Sequence, residues 1–338
     1  MKKQVTTLAE VAKVAGVSRM TASRAMNNQP GVSVHTREAI LRIADEMGYV
    51  ANPLAQKLSA GQTRLLGVVV QLHTPFAADL VLGIGSAARG AGYEMLAYSL
   101  PSDNTEKANI GNVVSLLQQI TDGVIVILPS EGEYLDKLMQ SSVPVVTVDT
   151  ITDEGMFPSV AADSYQGGRL AVSHLVELGH KRIGFISGNQ RLTSARARKQ
   201  AYCDLIAQLN LDQDPDLLIE GDYSQKSGFE AAKKLLALPE RPTAIFASND
   251  MGAFGAMTAI RENGLRIPQD ISIVGFDDVP LAHQTHPPLT TVHQPLQEMG
   301  RAAVNMLIPL ILGLDLPSRQ TVLSTNLVVR GSTAQLRT

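Results

Sequence analysis

A single cysteine, Cys203, no tryptophan, and only seven tyrosines and seven phenylalanines stand among the 338 residues. One thiol excludes an internal disulfide framework and any cysteine-based zinc site. The histidines lack regular metal spacing: His283, His286 and His293 fall in a proline-rich loop, so no metal site is expected. No apolar run reaches the roughly 20 residues that span a bilayer, which excludes a membrane-embedded chain. The start, MKKQVTTLAEVAK, has two lysines, but Glu10 and Lys13 interrupt any apolar signal region. These absences point to a cytoplasmic protein. What is present is a 44% apolar composition and a length beyond one ordinary domain. Two or three domains with large cores are expected.

The net charge of −3 argues against a nucleic-acid binder until it is divided along the chain. Residues 1–64 hold nine Lys and Arg against four Asp and Glu, a balance of +5, and the rest balances at −8. A basic head on an acidic body directs attraction for phosphate to one end. That head opens with TLAEVAKVAGVSRMTASRAMN. Thr7 with Glu10 forms a capping box, and Leu8, Val11, Ala12 and Ala15 share one helical face. Gly16 can end the helix, Val17 can fill the gap between helices, and Ser18 can cap a second helix opening with Arg19, Met20 and Thr21. The small residues Ala9, Ala12, Ala15, Ala22 and Ala25 permit the close crossing of a helix-turn-helix. A basic, polar second helix backed by alanines is suited to a major groove. The alternative for Ser18, Ser23 and Ser33 is helix capping alone.

A third helix follows, capped by Ser33, with Ile40, Ile43, Ala44 and Met47 in phase before Gly48. In YVANPLAQKLSAGQT, Asn52 and Pro53 start a helix that reaches only about two turns before Gly61. So short a helix is unstable alone, so the segment is a linker that folds against a partner. From Leu65 onward, apolar strands alternate with amphipathic helices. Strands are expected at 65–72, 93–100, 123–129, 143–149, 182–188, 217–220, 244–248 and 271–277. Helices are expected at 78–91, 105–120, 164–178, 194–209, 225–237, 250–263 and 296–312. LSTNLVVRGST reads as the last core strand. Near-continuous Val, Ile and Leu strands mean parallel sheets buried on both faces, in two similar lobes.

The order of motifs resembles the lactose-repressor (LacI/GalR) family of bacterial transcription regulators. The resemblance rests on the helix-turn-helix, NPLAQKLSAG, HLVELGHKRIGFISG, SNDMGAFGAM, GLRIPQDISIVGFDD and PPLTTVHQP, and covers essentially the whole chain. It implies a small all-α helix-turn-helix head plus an α/β core of two parallel-sheet lobes, similar to periplasmic binding proteins. The expected divisions are a DNA-binding domain at 1–48, a hinge at 49–63 and a core at 64–338. Within the core, about 64–163 and 295–322 form one lobe, and about 164–294 and 323–332 the other. No leucine-heptad tail follows, so a homodimer is expected rather than a tetramer.

For the head, the resemblance puts Arg19, Met20 and Thr21 against base edges. Ser18, Ser23, Arg24, Asn27, Ser33 and Thr36 suit phosphates, which position the protein without specifying sequence. In the hinge, Leu58 would wedge into a minor-groove step, flanked by Asn52, Ala55 and Gln56. Ligands of parallel α/β lobes bind beyond the carboxyl ends of strands. Those ends supply Gln71, His73, Phe76, Asp149, Arg196, Tyr223, Asn249, Asp277 and Gln294. Carboxylates and amides beside an arginine suit a polyhydroxyl ligand, and Phe76 or Tyr223 would stack on a ring. Asp250 reads as the N-cap of helix 250–263. Arg196, Asn249 and Asp277 match the family's sugar-holding positions most closely, but Ala77 replaces an aromatic many members carry. GIGSAA (83–88) fits a dinucleotide fingerprint, yet it falls within a helix, so no cofactor is expected. Neither a nucleophile elbow nor a triad accompanies Asp149 and Asp277, so an enzyme is not expected. The function implied is a repressor of carbohydrate-utilisation genes, bound to a pseudo-palindromic operator and controlled by a small sugar-like effector between the lobes. The alternative is a nucleoside, purine or sugar-acid effector acting as corepressor.

Overall fold

The computed structural model describes residues 6–27, 29–49, 62–72, 74–100, 110–127, 138, 141, 143–149 and 156–336. Two compact units emerge, Met1–Arg64 and Leu65–Thr338. The first contains α1 (Leu8–Val14), α2 (Arg19–Met26) and α3 (Val34–Glu46). The Thr7–Glu10 capping box is formed: Glu10 accepts from the Thr7 amide at 2.7 Å, and Thr7 Oγ1 accepts from the Glu10 amide at 3.4 Å. Gly16 takes φ +66° in the turn, a left-handed conformation that costs a residue without Cβ little. Val11, Ala12, Ala22, Ala25, Ile40 and Ala44 make the small core. Four of these six are alanines, which is why three short helices pack closely.

The second unit holds two six-stranded sheets. The first sheet runs in the order β11-β5-β4-β3-β1-β2 and is parallel throughout. Its strands are β1 (Leu65–Val70), β2 (Glu94–Ser99), β3 (Gly123–Ile127), β4 (Val145–Val148), β5 (Ser159–Ala162) and β11 (Gln320–Leu323). On β1, Leu66, Val68 and Val70 face α4 (Pro75–Gly90) and α10 (Leu296–Ile311). Val69 joins the opposite cluster with Leu117 of α5 (Ile110–Ile120). This is the period-2 alternation of a strand covered on both sides. Thr74 caps α4 and Pro75 opens it, so the helix starts earlier than residue 78. Gly83 lies inside α4, where an added Cβ would sit 2.1 Å from the Gln297 carbonyl oxygen. Its role is the close crossing of α4 and α10.

The second sheet runs β12-β10-β9-β8-β6-β7, with only β12 antiparallel. Its strands are β6 (Ile183–Ile186), β7 (Leu218–Ile219), β8 (Ala244–Ala247), β9 (Ser272–Asp277), β10 (Thr290–His293) and β12 (Asn326–Val328). Helices α6 (Ser164–Glu177) and α7 (Thr193–Gln208) cover the face carrying Phe185, Phe246 and Phe276. Helices α8 (Gln225–Leu236) and α9 (Asp250–Glu262) cover the other. The chain passes between the sheets after β5, after β10, and between β11 and β12. The expected last strand, LSTNLVVRGST, forms β12 at its centre, while its first residue, Leu323, ends β11 in the other sheet. Strands β5 and β10 went unexpected because SVAA and TTVH lack a run of large apolar residues.

Candidate functional site

On the head, the buried face of α2 is Ala22 and Ala25, which turns Arg19, Met20 and Arg24 to solvent. Met20 is 65% exposed and so is free to contact a partner. Ser18 Oγ accepts from the Thr21 amide at 3.0 Å and meets Thr21 Oγ1 at 2.8 Å. Ser33 repeats this with Thr36, at 3.1 and 2.7 Å. Both serines thus cap helices, whatever else they touch. Asn27 Nδ2 donates to Ser23 Oγ at 3.4 Å. Asn52, Ala55, Gln56 and Leu58 lie outside the described residues.

In the second unit, the carboxyl ends of β4, β8 and β9 and the turn after β7 bring Asp149, Asn249, Asp277 and Tyr223 together, joined by Gln294 where the chain leaves β10. Ser194 Oγ, at the start of α7, donates to Asp149 Oδ2 at 2.9 Å and so bridges the lobes. Gln294 Nε2 donates to Asp277 Oδ1 at 2.7 Å. Asn249 caps α9 through the Gly252 amide at 2.9 Å and donates from Nδ2 to the Tyr223 carbonyl at 3.0 Å. Asp149, Tyr223, Asp277 and Asp278 have φ of +61°, +74°, +116° and +60°. Four non-glycine residues in left-handed backbone mark stored strain concentrated at one place. The Tyr223 ring occupies the space beside Gly188, where any Cβ would approach Cζ to 2.1 Å.

Several expectations need correction. Arg196 sits on the exposed side of α7 and donates to the Gln190 and Arg191 carbonyls. The guanidinium in the interior belongs to Arg198, 2% exposed, whose Nη1 donates to the Ser248 carbonyl at 2.7 Å and lies 3.7 Å from Asp277 Oδ1. Its plane rests 3.7 Å from the Phe276 ring, within cation–π range. Phe76 is packed in the first lobe's core, so it offers no stacking face there. Gln71 is exposed, its carbonyl accepting from Thr74 Oγ1 at 3.1 Å. His73 lies outside the described residues. Asp250 is not the N-cap of α9; Asn249 is. The fully buried Asp250 carboxylate instead accepts from the Val279 amide at 2.9 Å and Thr291 Oγ1 at 2.6 Å, tying α9 to β10 and the loop after β9.

The electrostatics follow from burial. Desolvation raises Asp149 above the ordinary carboxylate range, against the opposing pull of Arg198 and Ser194. Asp277 is pushed up to about 7 by burial, in spite of Arg198 and Gln294. Asp250 is raised by burial and by its neighbour Asp277. The Tyr223 phenol is pushed up to about 12, again by burial. Three buried polar atoms of this cluster have no protein partner: Asp149 Oδ1, the Tyr223 hydroxyl and Gln294 Oε1. Buried polar atoms are normally satisfied, so a set of orphans in one cluster points to a partner from outside the chain. A cavity of about 130 Å³ is lined by Asp149 and Ser194, and a separate one of about 260 Å³ by Asp277 and Gln294. Among the described residues, no group of three or more His, Cys, Asp and Glu could hold a metal ion, and no helix is long and apolar enough to cross a membrane.

A basic helix-turn-helix joined to a two-lobed core with a strained polar cleft defines a ligand-responsive DNA-binding regulator, and comparison with known proteins gives the family. Residues 7–52 match the model of bacterial regulatory proteins of the lacI family, and 172–333 match the periplasmic binding protein-like domain. The transcriptional repressor CytR of Escherichia coli (strain K12) is 33% identical over 99% of both chains. The lac repressor dimer bound to operator and the anti-inducer ONPF is 32% identical, with a TM-score of 0.82 over 98% of this chain and 100% of that one. The complex of the transcriptional regulator CelR with cellobiose is 33% identical, with a TM-score of 0.74 over 97% of this chain and 99% of that one. The chain belongs to the LacI family of bacterial regulatory proteins and is a DNA-binding transcription regulator.

Proposed function

We propose that this regulator is a cytoplasmic, non-enzymatic repressor of carbohydrate-utilisation genes that binds a pseudo-palindromic operator as a homodimer. In this reading Arg19, Met20 and Thr21 read base edges. Ser18, Ser23, Arg24, Asn27, Ser33 and Thr36 hold phosphates. Asn52, Ala55, Gln56 and Leu58 engage the minor groove. A sugar-like effector binds between the two lobes against Asp149, Arg198, Tyr223, Asn249, Asp277 and Gln294. It alters the relation of the lobes and so the readiness of the hinge to fold on DNA, a coupling of about 1–3 kcal/mol in typical allostery.

The observation that carries this is the set of orphaned polar atoms in a strained, buried cluster at strand ends. Each can exchange a lost water for a ligand hydroxyl, and a carboxylate or amide can bridge two hydroxyls. The regulator CelR, solved with cellobiose, supports a sugar as the class. Selection from random oligonucleotides at modest salt, with and without a panel of sugars, tests the whole. The expected result is an enriched inverted repeat whose recovery changes with one of the sugars. No enriched repeat under any condition would remove the operator reading. Retention of simple aryl glycosides unhydrolysed is the companion expectation for a binding protein, and steady turnover would contradict it.

A further inference from the structure

Among the described residues, the cleft between the lobes is rich in acceptors and poor in cations. Arg198 is its buried guanidinium, and each of its three nitrogens already has a protein partner. Nη1 serves the Ser248 carbonyl and Asp277, while Nε and Nη2 both point to Ser164 Oγ at 3.4 and 3.3 Å. Against this one cation stand three buried carboxylates, Asp149, Asp250 and Asp277, at 3%, 0% and 5% exposure. Of the orphans, Gln294 Oε1 can only accept, and Asp149 Oδ1 accepts when that carboxylate is ionised. The larger cavity continues the trend, with Asp79, Asp278 and Glu298 in its wall beside His293 and Arg301. There Asp278 already holds Arg330 at 2.6 Å and His293 at 3.1 Å, and Asp79 accepts from Gln297.

From this arrangement, and resting on the effector reading above, we infer that the site selects by charge: it takes an uncharged, hydroxyl-rich ligand and rejects the carboxylated or phosphorylated form of the same molecule. A neutral hydroxyl donates to Asp149 Oδ1 or Gln294 Oε1 and satisfies it. A carboxylate or phosphate dianion brings lone pairs to lone pairs, and its charge is desolvated beside carboxylates of which Asp277, at about 7, is partly ionised near neutral pH. This separates the sugar reading from the sugar-acid alternative.

Matched pairs test it on the full-length protein: galactose with galacturonate, glucose with glucose 6-phosphate, cellobiose with cellobionate, and adenosine with AMP. Thermal shift finds the pair that binds, and calorimetry gives both affinities. The neutral member is expected to bind at least about 100-fold more tightly than its anionic counterpart. In Asp149→Asn, which removes one carboxylate, that ratio is expected to narrow about tenfold. In Gln294→Glu, which adds one, it widens. An anionic member that binds as tightly as its neutral partner overturns the charge selection and leaves the effector reading standing. A ratio unchanged in both variants also overturns it. Silence across all pairs overturns the effector reading and this inference together.

Discussion

Two arginines separated by one alanine on α7, Arg196 and Arg198, have opposite environments, and helical phase is the reason. Ala195, Arg198, Ala201, Tyr202 and Leu205 are buried at spacings of three and four, so Arg198 lies on the inward stripe and Arg196 beside it on the outside. That stripe is visible in SARARKQAYCDLI, and it would have chosen correctly between the two; nearness to the helix start does not. Asp149, Tyr223, Asn249, Asp277 and Gln294 were legible because strand ends of parallel sheets converge. Ser164, Ser194 and Ser248, which serve the same cluster, were not, because a serine carries no signal until its neighbours are known. The contrast gives a prediction. Arg198→Ala leaves Asp277 and Asp149 buried without their cation, and is expected to cost about 3–5 kcal/mol of core stability together with effector binding. Arg196→Ala removes two exposed bonds to loop carbonyls and is expected to stay within about 0.5 kcal/mol. Urea denaturation of both variants decides; equal losses would return Arg196 to the site.

At the level of elements, the helices were read more accurately than the strands, for a physical reason. Caps and glycine stops are local, so Thr7, Ser18 and Ser33 fix α1 to α3 from a few adjacent residues. Strands such as β5 and β11 are specified by the sheets they join. SVAA and QTVL carry little pattern of their own, and β11 pairs with β5 across more than 150 residues of chain. The crossing between β11 and β12 was expected only from the family resemblance, which set it near residue 322, and not from any local pattern. Locality also makes a test of the head possible, because Ser33 has two candidate duties. As the N-cap of α3 it accepts from the Thr36 amide, and aspartate does that equally well. As a phosphate contact it cannot be replaced by a carboxylate. Ser33→Ala is expected to lower the stability of the head by about 1 kcal/mol. Ser33→Asp is expected to keep that stability yet weaken operator binding several-fold at low salt. Unimpaired operator binding by Ser33→Asp would leave capping as the serine's whole role.

For the molecule as a whole, the charge division between head and body was readable from composition, and the second unit bears a further consequence of its acidity. The folded core raises Asp277 to about 7 and moves Asp250 the same way, whereas an unfolded aspartate titrates near 3.9. Between those values the folded chain retains a proton that the unfolded chain has released, so stability falls as pH rises. The contribution is complete below about pH 4 and is lost as pH rises through about 7, a change of order a few kcal/mol. The half-buried Asp270, held at about 2 by Arg266, works in the opposite sense: its contribution is present above about pH 4 and is lost as pH falls toward 2. The two therefore act in separate windows, but between pH 5 and 8 the buried aspartates are opposed by His174 and His180, whose pKa values burial lowers and whose contribution rises with pH; comparison with a variant at Asp277 isolates the aspartate's share. Because head and core form distinct units, one transition cannot be assumed. Tyrosine fluorescence isolates the core, since only Tyr49 of the seven tyrosines lies in the first unit. Its urea midpoint is expected to be lower at pH 8 than at pH 5, and Asp277→Asn is expected to flatten that difference by raising the pH 8 value. A pH 5 to pH 8 difference left unchanged by Asp277→Asn would mean that Arg198 outweighs desolvation, that Asp277 is ionised throughout this interval, and that other groups such as His174 and His180 set the wild-type slope.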